Sequence, residues 1–393
     1  MKKGLKISLV TIGALVGSLV ICAGGYVGYI ILSYSRIGDK ELTINKRSSS
    51  SLVKKGEEYS LTSYNIGFGA YSQDFTFFLD TGYDEKGKAT CGYYSKAKSK
   101  DDVLFNVNGA IECISSLDVD FALFQEVDTS STRSYHIDEN KMIVDAFKDF
   151  DWTFGVNFHS AYLPYPLYDM HGKSNAGLST LSRFSMKSAK RYEYTISSSL
   201  SKLFDLDRCF VDTTYDVEGG KVLHVVNSHM SAYDKGGKIR NKQIEELNSF
   251  LYECQQNGDY VIVGGDFNHD LLTYNPAFDY TLENKPFGDN KKTPDWVSYF
   301  FSSDGTSKFI DGYSIVASDN VPTCRNNDIE WEEGKTFTCV VDGFIVSSNI
   351  EIKSKRNIQT KQGKKGADGF AFSDHEPTYI SFSLKEWTIK NNK

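Results

Sequence analysis

Apolar runs and polar positions alternate along the chain in a pattern that predicts alternating strands and helices. The clearest apolar run covers residues 260–263, and two glycines close it just before Asp266 and Asn268. A short β-branched run that ends in glycine is typical of a buried strand. A strand over 221–230 and an amphipathic helix over 238–256 precede this run. Strand, helix and strand in this order predict a layered α/β fold.

The same periodicities predict most of the remaining elements. Further strands are expected over residues 59–66, 121–127, 175–184 and 337–347, and a last one follows Ser373-Asp374-His375 and runs to Leu384. Helical spacing of apolar residues predicts one helix that Asp102 caps and another over residues 139–150. The aromatic segment 70–101 is predicted to be an ordered excursion from the main body. The aromatic segment 152–174 is predicted to be a long loop, either a wall on the substrate side or a scaffold loop packed on the body.

An uncharged, apolar segment occupies residues 7–33, and three lysines precede it. The segment is long enough to cross a bilayer as one helix, and its basic flank favours an N-terminus on the cytoplasmic side. A cleaved signal peptide is the alternative. Lipid modification of Cys22 is disfavoured because the bulky Ile21 precedes it. The chain is therefore predicted to be a single-pass protein of the cell membrane with an extracytoplasmic body.

Composition completes this organisation. Of the 393 residues 40% are hydrophobic and 14% aromatic, which is enough to bury a full core. The formal net charge of −7 disfavours non-specific binding of long polyanions, although a sum does not show a local basic groove. Seven cysteines without a CxxC disfavour a thiolate zinc site and leave disulfide pairing open. The predicted parts are a cytoplasmic tail 1–6, a transmembrane signal anchor 7–33, a flexible tether 34–57 and one folded domain 58–390.

Polar side chains with similar chemistry recur at or near the ends of the predicted strands. They are Asn65, Glu126, His229, Asp266, Asn268, Asp342, Asp374 and His375. Carboxylates, amides and imidazoles without thiols favour a hard, oxygen-liganded ion such as Mg²⁺, with Mn²⁺ as the second possibility. A metal bound next to a phosphate oxygen stabilises the charge that develops in phosphoryl transfer. A histidine beside a buried aspartate makes a suitable general base near neutral pH.

Seven short motifs appear in one order between residues 59 and 384. They read SYNI, FQEV, LSRF, NSHM with Arg240 downstream, GGDFN, VVDGFIVS and SDHEP. Together they resemble the endonuclease/exonuclease/phosphatase superfamily, which includes deoxyribonuclease I and neutral sphingomyelinases. The resemblance implies a four-layer α/β sandwich of two packed mixed β-sheets flanked by helices. It covers almost the whole of the predicted extracytoplasmic body.

The resemblance also implies a metal site and a general base. Glu126 would be the main metal ligand, with Asn65 beside it and Asp374 completing the site. His375 would activate a water molecule, and Asp342 would orient the histidine. These roles would make the protein a Mg²⁺-dependent hydrolase of phosphate esters.

The remaining motif residues are implied to bind the substrate. His229 and Asn268 would hold the scissile phosphate and stabilise its oxyanion. Asp266 would position or activate the nucleophile, and Arg183 of LSRF would support phosphate binding. Asp295 and Trp296 lie in a loop-rich stretch and are further candidates to approach the substrate.

Three functions are consistent with this pattern. The first is a membrane-anchored, extracytoplasmic phosphohydrolase that acts on a phosphodiester, either a lipid headgroup or another small diester. The second is a surface nuclease for external DNA or RNA, which predicts a basic groove around His229 and Arg183. The third, a catalytically silent binding module, requires the loss of a catalytic group, and each motif position is filled. The expected partners are the phosphate-ester substrate and, through the N-terminal helix, the membrane, with no obligate protein partner.

Overall fold

The structure is a computed structural model that describes residues 3–49, 52–84, 86–199, 202, 206–232, 237–272, 300–302 and 306–385. The side chains of residues 3–9 are outside this description. Asp295 and Trp296, the candidate substrate contacts of the loop-rich stretch, lie outside the described residues. The same holds for residues 1–2 of the predicted tail and 386–390 of the predicted domain.

The described residues form four α-helices, and the predicted amphipathic helices are among them. In chain order the helices are α1 Lys3–Ser33, α2 Lys100–Ser115, α3 Glu139–Ala146 and α4 Lys238–Asn257. The cap of α2 differs from the prediction, because Oγ of Ser99 accepts a hydrogen bond from the backbone N–H of Asp102. Helix α4 ends at Gly258, whose φ of 70° lies in the left-handed region that glycine adopts without strain.

Seventeen strands form in the same residues. In chain order they are β1 Lys40–Glu41, β2 Glu58–Asn65, β3 Thr81–Tyr83, β4 Ala89–Cys91, β5 Phe121–Asp128, β6 Asp151–His159, β7 Asn175–Ser182, β8 Ser188–Glu193, β9 Cys209–Asp216, β10 Val222–His229, β11 Tyr260–Asp266, β12 Tyr313–Val316, β13 Cys324–Arg325, β14 Thr338–Cys339, β15 Asp342–Ser347, β16 Ile350–Asn357 and β17 Thr378–Leu384. A seven-stranded sheet has the order β1-β8-β9-β10-β11-β15-β12, and a six-stranded sheet has the order β16-β17-β2-β5-β7-β6. Both sheets are mixed, since β10 and β11 are parallel, as are β2 and β5.

The two sheets pack face to face, and the residues of β5 show why. Phe121 and Leu123 point into the core between the sheets, whereas Ala122 and Phe124 point into the layer that α2 and α3 cover. Successive side chains of a strand face opposite sides, so an unbroken apolar run is what a strand buried on both faces requires. Strand β11 behaves in the same way, with Val261 and Val263 packed in the core beneath α4. The predicted four-layer α/β sandwich is confirmed.

The described residues of the predicted tether 34–57 contact the folded body. Strand β1 pairs with β8 at the edge of the larger sheet, and the backbone N–H of Leu42 donates to the carbonyl of Ala189 at 2.8 Å. Asn45 forms a bridge with Trp152, and Val53 is fully buried. The segment is polar because it contributes backbone pairing more than core side chains. The ordered body therefore begins before residue 58.

The long loop predicted over residues 152–174 begins as a strand. Strand β6 pairs with β7, and only the residues after His159 form the loop. The alternation of β6 is inverted, because Asp151, Thr153 and Asn157 are buried while Trp152 is half-buried. Its inward polar face brings Asn157 toward the end of β10.

Helix α1 is 31 residues long and has most of its described side chains exposed. The stretch Val10–Ser33 is long and apolar enough to cross a membrane. The same length and composition fit a signal sequence near an N-terminus, so both interpretations of the sequence stay compatible with the helix.

Candidate active site

The carboxyl ends of two parallel strand pairs meet at one edge of the sandwich. Asn65 ends β2, Glu126 lies near the end of β5, His229 ends β10 and Asp266 ends β11. Strand β15 runs antiparallel to β11, so its first residue, Asp342, lies directly opposite Asp266. Nδ2 of Asn65 donates to Oδ2 of Asp266 at 3.0 Å, which joins the two sheets at this edge.

His375 precedes β17 and forms a pair with Asp342. Nδ1 of His375 lies 2.8 Å from Oδ2 of Asp342, and its Nε2 lies 3.7 Å from Oδ2 of Asp266. Nδ1–H donates a hydrogen bond to the carboxylate of Asp342, so Nε2 is the ring nitrogen that faces Asp266. Burial opposes the charged ring, but the neighbouring negative groups, Asp342 foremost, raise the pKa of His375 well above 6.5.

Asp266 is held by its neighbours from two sides. Its Oδ1 accepts a hydrogen bond from the backbone N–H of Asn268 at 2.9 Å, and its Oδ2 accepts one from Nδ2 of Asn65. Burial raises the pKa of Asp266 to about 6, and Asp342 adds to the shift while His375 opposes it. Asn268 has a φ of 50° and donates its Nδ2 to the carbonyl of Met230 at 2.9 Å. The turn after β11 is therefore fixed to the end of β10.

His229 is buried between the acids and the inward face of β6. Its Nε2 lies 3.4 Å from Oδ2 of Asp266 and 3.9 Å from Oε1 of Glu126. Its Nδ1 lies 3.5 Å from Nδ2 of Asn157, which is a donor. Burial, together with Arg208 and His375, lowers the pKa of His229 well below 6.5. The ring is therefore neutral, and its Nε2–H is the group that a phosphate oxygen can use.

Glu126 reaches the cavity through a break in the strand ladder. It has a φ of 53°, and the register of β5 against β7 shifts between Phe124 and Val127. Burial raises the pKa of Glu126, and the charge of Asp374 raises it further. Two carboxylates at one cavity are a donor set that suits a divalent cation.

Asn65, a second predicted ligand, points its Nδ2 donor at Glu126. Its Nδ2 lies 3.4 Å from Oε1 of Glu126, and its Oδ1 accepts the backbone N–H of Gly67 at 3.0 Å. Asp374 accepts a hydrogen bond from Nδ2 of Asn327 at 2.9 Å. A second group of possible ligands consists of Asp266, Asp342 and His375, whose ligand atoms lie within 4.8 Å of one another.

One cavity of about 790 Å³ is lined by Glu126, His229, Asp266, Asn268, Asp374 and His375, while Asn65 and Asp342 contact these residues without lining it. Three buried arginines also line it, namely Arg133, Arg208 and Arg325. Arg133 is bound by both oxygens of Asp128 at 3.1 and 2.8 Å. Nη2 of Arg325 donates to the carbonyl of Ser72 at 3.1 Å, while its Nε and Nη1 have no hydrogen-bond partner among the described residues. Arg325 thus brings a buried positive charge with free donors to the cavity.

The structure does not bring Arg183 to the site, which corrects the substrate-binding role predicted for it. Strand β7 is antiparallel to β5, so the residue after Ser182 lies beside the start of β5 rather than its end. Arg183 forms an ion pair with Asp118 and lies over the ring of Phe150 at 5.3 Å. It is therefore a surface residue at the end of the sandwich opposite Glu126.

Two further neighbours of the site, Asn157 and Arg325, were not predicted, and only the first has a signal in the sequence. Asn157 lies on the polar side of the alternating run 151–159, and that alternation is the signal that points to it. Arg325 stands in a stretch with no periodicity, and it reaches the cavity only because β13 forms a bridge with His375. Nothing in the local sequence indicates that contact.

Comparison with known proteins places the chain in a family. The profile of the Endonuclease/Exonuclease/phosphatase family matches residues 103–311, which is more than half of the chain. The protein belongs to this family. Membership makes it a metal-dependent hydrolase of phosphate esters, in agreement with the acids and imidazoles gathered at the strand ends. None of the curated proteins matches the sequence.

Solved structures with a similar fold include three that are 13–15% identical to this chain. Zebrafish (D. rerio) TDP2 complexed with a single-strand DNA product has a TM-score of 0.49 at 13% identity, over 84% of this chain and 100% of that one. An endonuclease/exonuclease/phosphatase family protein from Leptotrichia buccalis has a TM-score of 0.49 at 15% identity, over 83% and 100%. ANGEL2, a 2',3'-cyclic phosphatase, in complex with adenosine-2',3'-vanadate has a TM-score of 0.49 at 15% identity, over 88% and 99%.

Proposed function

We propose that the protein is a membrane-anchored, extracytoplasmic, Mg²⁺-dependent phosphodiesterase that acts on a lipid headgroup or another small phosphodiester. The observation that carries this proposal is the cavity that Glu126, Asp374, His229, Asp266 and His375 share. It combines an acid pair suited to a divalent cation with a histidine that an aspartate orients. A binding module would not need this arrangement.

The reaction is a hydrolysis in which a water molecule attacks phosphorus and the ester P–O bond to the leaving alcohol breaks. The reactive form is the neutral ring of His375, in which Nε2 accepts a proton from the water while Nδ1–H donates a hydrogen bond to Asp342. Asp266, 3.7 Å from Nε2, positions the water. His229 donates a hydrogen bond from Nε2–H to a phosphate oxygen. The leaving alkoxide takes a proton from solvent to become the alcohol, and His375 returns to solvent the proton that it accepted.

The metal would be held by Glu126 and Asp374, with Asn65 beside them. When bound, Mg²⁺ or Mn²⁺ would supply positive charge to a phosphate oxygen. Asn65 would have to turn its Oδ1 away from Gly67 to become a ligand, since its Nδ2 faces Glu126 in this structure. Arg325 adds a second, fixed positive charge, and its free Nε and Nη1 donors suit a phosphate oxygen.

The placement of the enzyme follows from α1. Its uncharged stretch from Val10 to Ser33 fits a membrane span, and the lysines before it favour a cytoplasmic N-terminus. The catalytic body would then lie outside. The alternative of a surface nuclease predicted a basic groove formed by His229 and Arg183, and Arg183 lies at the opposite end of the sandwich. Nuclease activity is therefore the second candidate and an outcome of the test.

The test uses the full chain, purified in detergent, with soluble bis(p-nitrophenyl) phosphate and with plasmid DNA. We expect hydrolysis of the diester in Mg²⁺, its loss in EDTA and its recovery when Mg²⁺ returns. His375→Gln should lower the rate by about 10²–10⁴-fold, the range for removal of a general base. Full activity of H375Q would exclude the assigned base. Preferential cleavage of DNA would favour the nuclease.

A further inference from the structure

The N-terminal helix contributes to the wall of the catalytic cavity. Tyr26, Val27 and Ile30 line the same cavity as Glu126 and His375. Ile30 lies three residues after Val27 and four after Tyr26, and residues at these spacings are neighbours on a helix surface. Ile30 is only 6% exposed, unlike the apolar residues nearer the start of the helix. Helix α1 is therefore more than an anchor, since its last turns close one side of the site.

Hydrogen bonds fix the end of α1 to the loop after β6. Oη of Tyr26 donates to the carbonyl of Tyr162 at 2.8 Å, and Oη of Tyr29 accepts the backbone N–H of Tyr162 at 3.3 Å. Just beyond the helix, Arg36 forms ion pairs with Asp207 at 2.6 Å and with Glu193. These contacts set the distance between the helix end and the cavity.

That distance determines where the cavity lies relative to a bilayer. The stretch Val10–Ser33 has 24 residues, which is about 36 Å of helix, against about 30 Å of hydrocarbon. Tyr26 precedes Ser33 by seven residues, or about 10 Å along the helix axis. The side of the cavity that α1 forms therefore lies within about 10 Å of the outer end of the span, at the depth of the headgroups and upper acyl chains of that leaflet.

The loops beside α1 carry an exposed apolar rim, which consists of Leu79, Tyr93, Tyr165, Leu167 and Tyr168. Ring contacts join its two segments, with Tyr165 at 5.7 Å from Phe78 and Tyr168 at 4.9 Å from Tyr93. Leu167 is 77% exposed. A contiguous apolar surface of this kind, on a folded body tied to a membrane helix, matches a bilayer surface better than water.

Polarity changes from one side of the cavity to the other. The walls near α1 and the rim are apolar, including Phe78, Leu163 and Tyr165. The acids, imidazoles and Arg325 lie at the strand ends. This gradient fits an amphiphile whose phosphate reaches the strand ends while its hydrocarbon stays at the mouth.

We infer that the cavity opens to the leaflet in which α1 is embedded and takes a lipid phosphoester directly from it, with α1 and the apolar rim contacting the acyl part. This inference rests on the proposed function, and it names the substrate class and the route of entry. The covalent step is the hydrolysis described above. The occupant of the apolar rim is the lipid surface itself.

The test reconstitutes the full chain in vesicles of phosphatidylcholine, phosphatidylglycerol and phosphatidic acid with Mg²⁺, and it measures release of headgroup or phosphate. Soluble bis(p-nitrophenyl) phosphate is assayed in parallel. The double variant Leu167→Asp, Tyr168→Asp places charge on the rim without touching the cavity. We expect vesicle lipid hydrolysis to fall by about tenfold and hydrolysis of the soluble diester to stay within about twofold.

Matched controls are available on the same chain. Leu52→Asp with Tyr252→Asp changes an exposed leucine and tyrosine, 42% and 55% exposed, that are not rim residues. On α1, Val27→Trp narrows the cavity from the helix side, and Val20→Trp repeats the change two turns earlier, outside the cavity lining. We expect V27W to reduce lipid hydrolysis, and V20W and the L52D/Y252D pair to leave it unchanged.

The outcomes separate the two proposals. If the wild type hydrolyses neither the soluble diester nor lipid, the proposed function fails and the inference fails with it. If the soluble diester is hydrolysed but lipid is not, or if the rim variants hydrolyse lipid like the wild type, the inference alone is overturned. Cleavage of single-stranded DNA that depends on the rim would also overturn it, because exposed tyrosines can stack on bases.

Discussion

Each end of the sandwich pairs a histidine with aspartates, and the two pairs serve different purposes. At the catalytic end Nδ1 of His375 meets Asp342 at 2.8 Å, and Nε2 faces a cavity. At the opposite end Nδ1 of His224 meets both oxygens of Asp212 at 3.0 and 3.1 Å, and Nε2 lies 3.8 Å from Asp259. Nε2 of His375 is therefore available to a substrate or a water molecule, whereas carboxylates flank both nitrogens of His224.

The balance of charge differs in the same way. Around His375 the acids outnumber the cations that touch them, and Glu126 and Asp374 face each other's charge. Around His224, burial opposes the charged ring, but Asp212 and then Asp259 outweigh it and raise the pKa to about 12. The acids around His375 need an added cation to balance their charge, whereas the charges around His224 balance one another. A histidine–aspartate pair therefore indicates a functional site only when a cavity and unbalanced charge accompany it.

Removing one acid of the catalytic end should have the largest effect. Glu126→Gln is expected to lower turnover in Mg²⁺ by about 10³-fold, which corresponds to several kcal/mol of charge stabilisation by a bound metal. In EDTA the same variant should be no less stable than the wild type, because it relieves repulsion with Asp374. Rate assays and urea unfolding measure the two quantities. A stability loss without a rate loss would reverse the assignment.

Replacing His224 at the opposite end should lower stability and leave turnover unchanged. His224→Gln leaves Asp212 buried without its cation, so the free energy of unfolding should fall by about 3–5 kcal/mol. Turnover of the soluble diester should not change where the variant is folded. Addition of Asp212→Asn should restore part of the lost stability, since the uncompensated charge is removed. Urea unfolding of the single and double variants measures the coupling.

The same histidine predicts a pH dependence of stability. Its pKa rises from an ordinary 6.5 to about 12 on folding, so its contribution is complete below about pH 6.5 and is lost as pH rises toward the folded value. Between about pH 7 and pH 9 the wild-type advantage over H224Q should therefore shrink, by up to about 1.4 kcal/mol per pH unit. Unfolding of both proteins across this range tests the sign. A constant difference would show that His224 is neutral in the folded state.

Sequence periodicity located the strands that carry the catalytic groups because those strands are buried on both faces. The runs of β5 and β11 are apolar without interruption, and each ends in a carboxylate. Strand β6 escaped prediction although its apolar residues alternate from Trp152 to Phe158. Its buried face is polar, and alternation with the polar side inward is the reverse of what a half-buried strand normally shows.

Other features depend on partners far along the chain. The segment 34–57 is polar, yet β1 is ordered by pairing with β8 about 150 residues later. Arg325 enters the site through a bridge between Cys324 and His375, about 50 residues apart. No local pattern encodes such contacts, so the sequence predicted the catalytic strands and not the cations around them.

Arg183 offers a further test of the comparison between the two ends, because its motif and its position in the structure imply different roles. The LSRF motif implied a role in phosphate binding, but the guanidinium pairs with Asp118 at the same end of the sandwich as His224. A half-exposed ion pair contributes about 0–1 kcal/mol, so Arg183→Ala should lower stability only slightly. Its kcat/KM should stay within about twofold of wild type, whereas Arg325→Ala should lower kcat/KM by about tenfold or more if its free donors bind phosphate. If both variants lost kcat/KM for the soluble diester equally, Arg183 would also contact the substrate, and the two ends of the sandwich would not be functionally distinct.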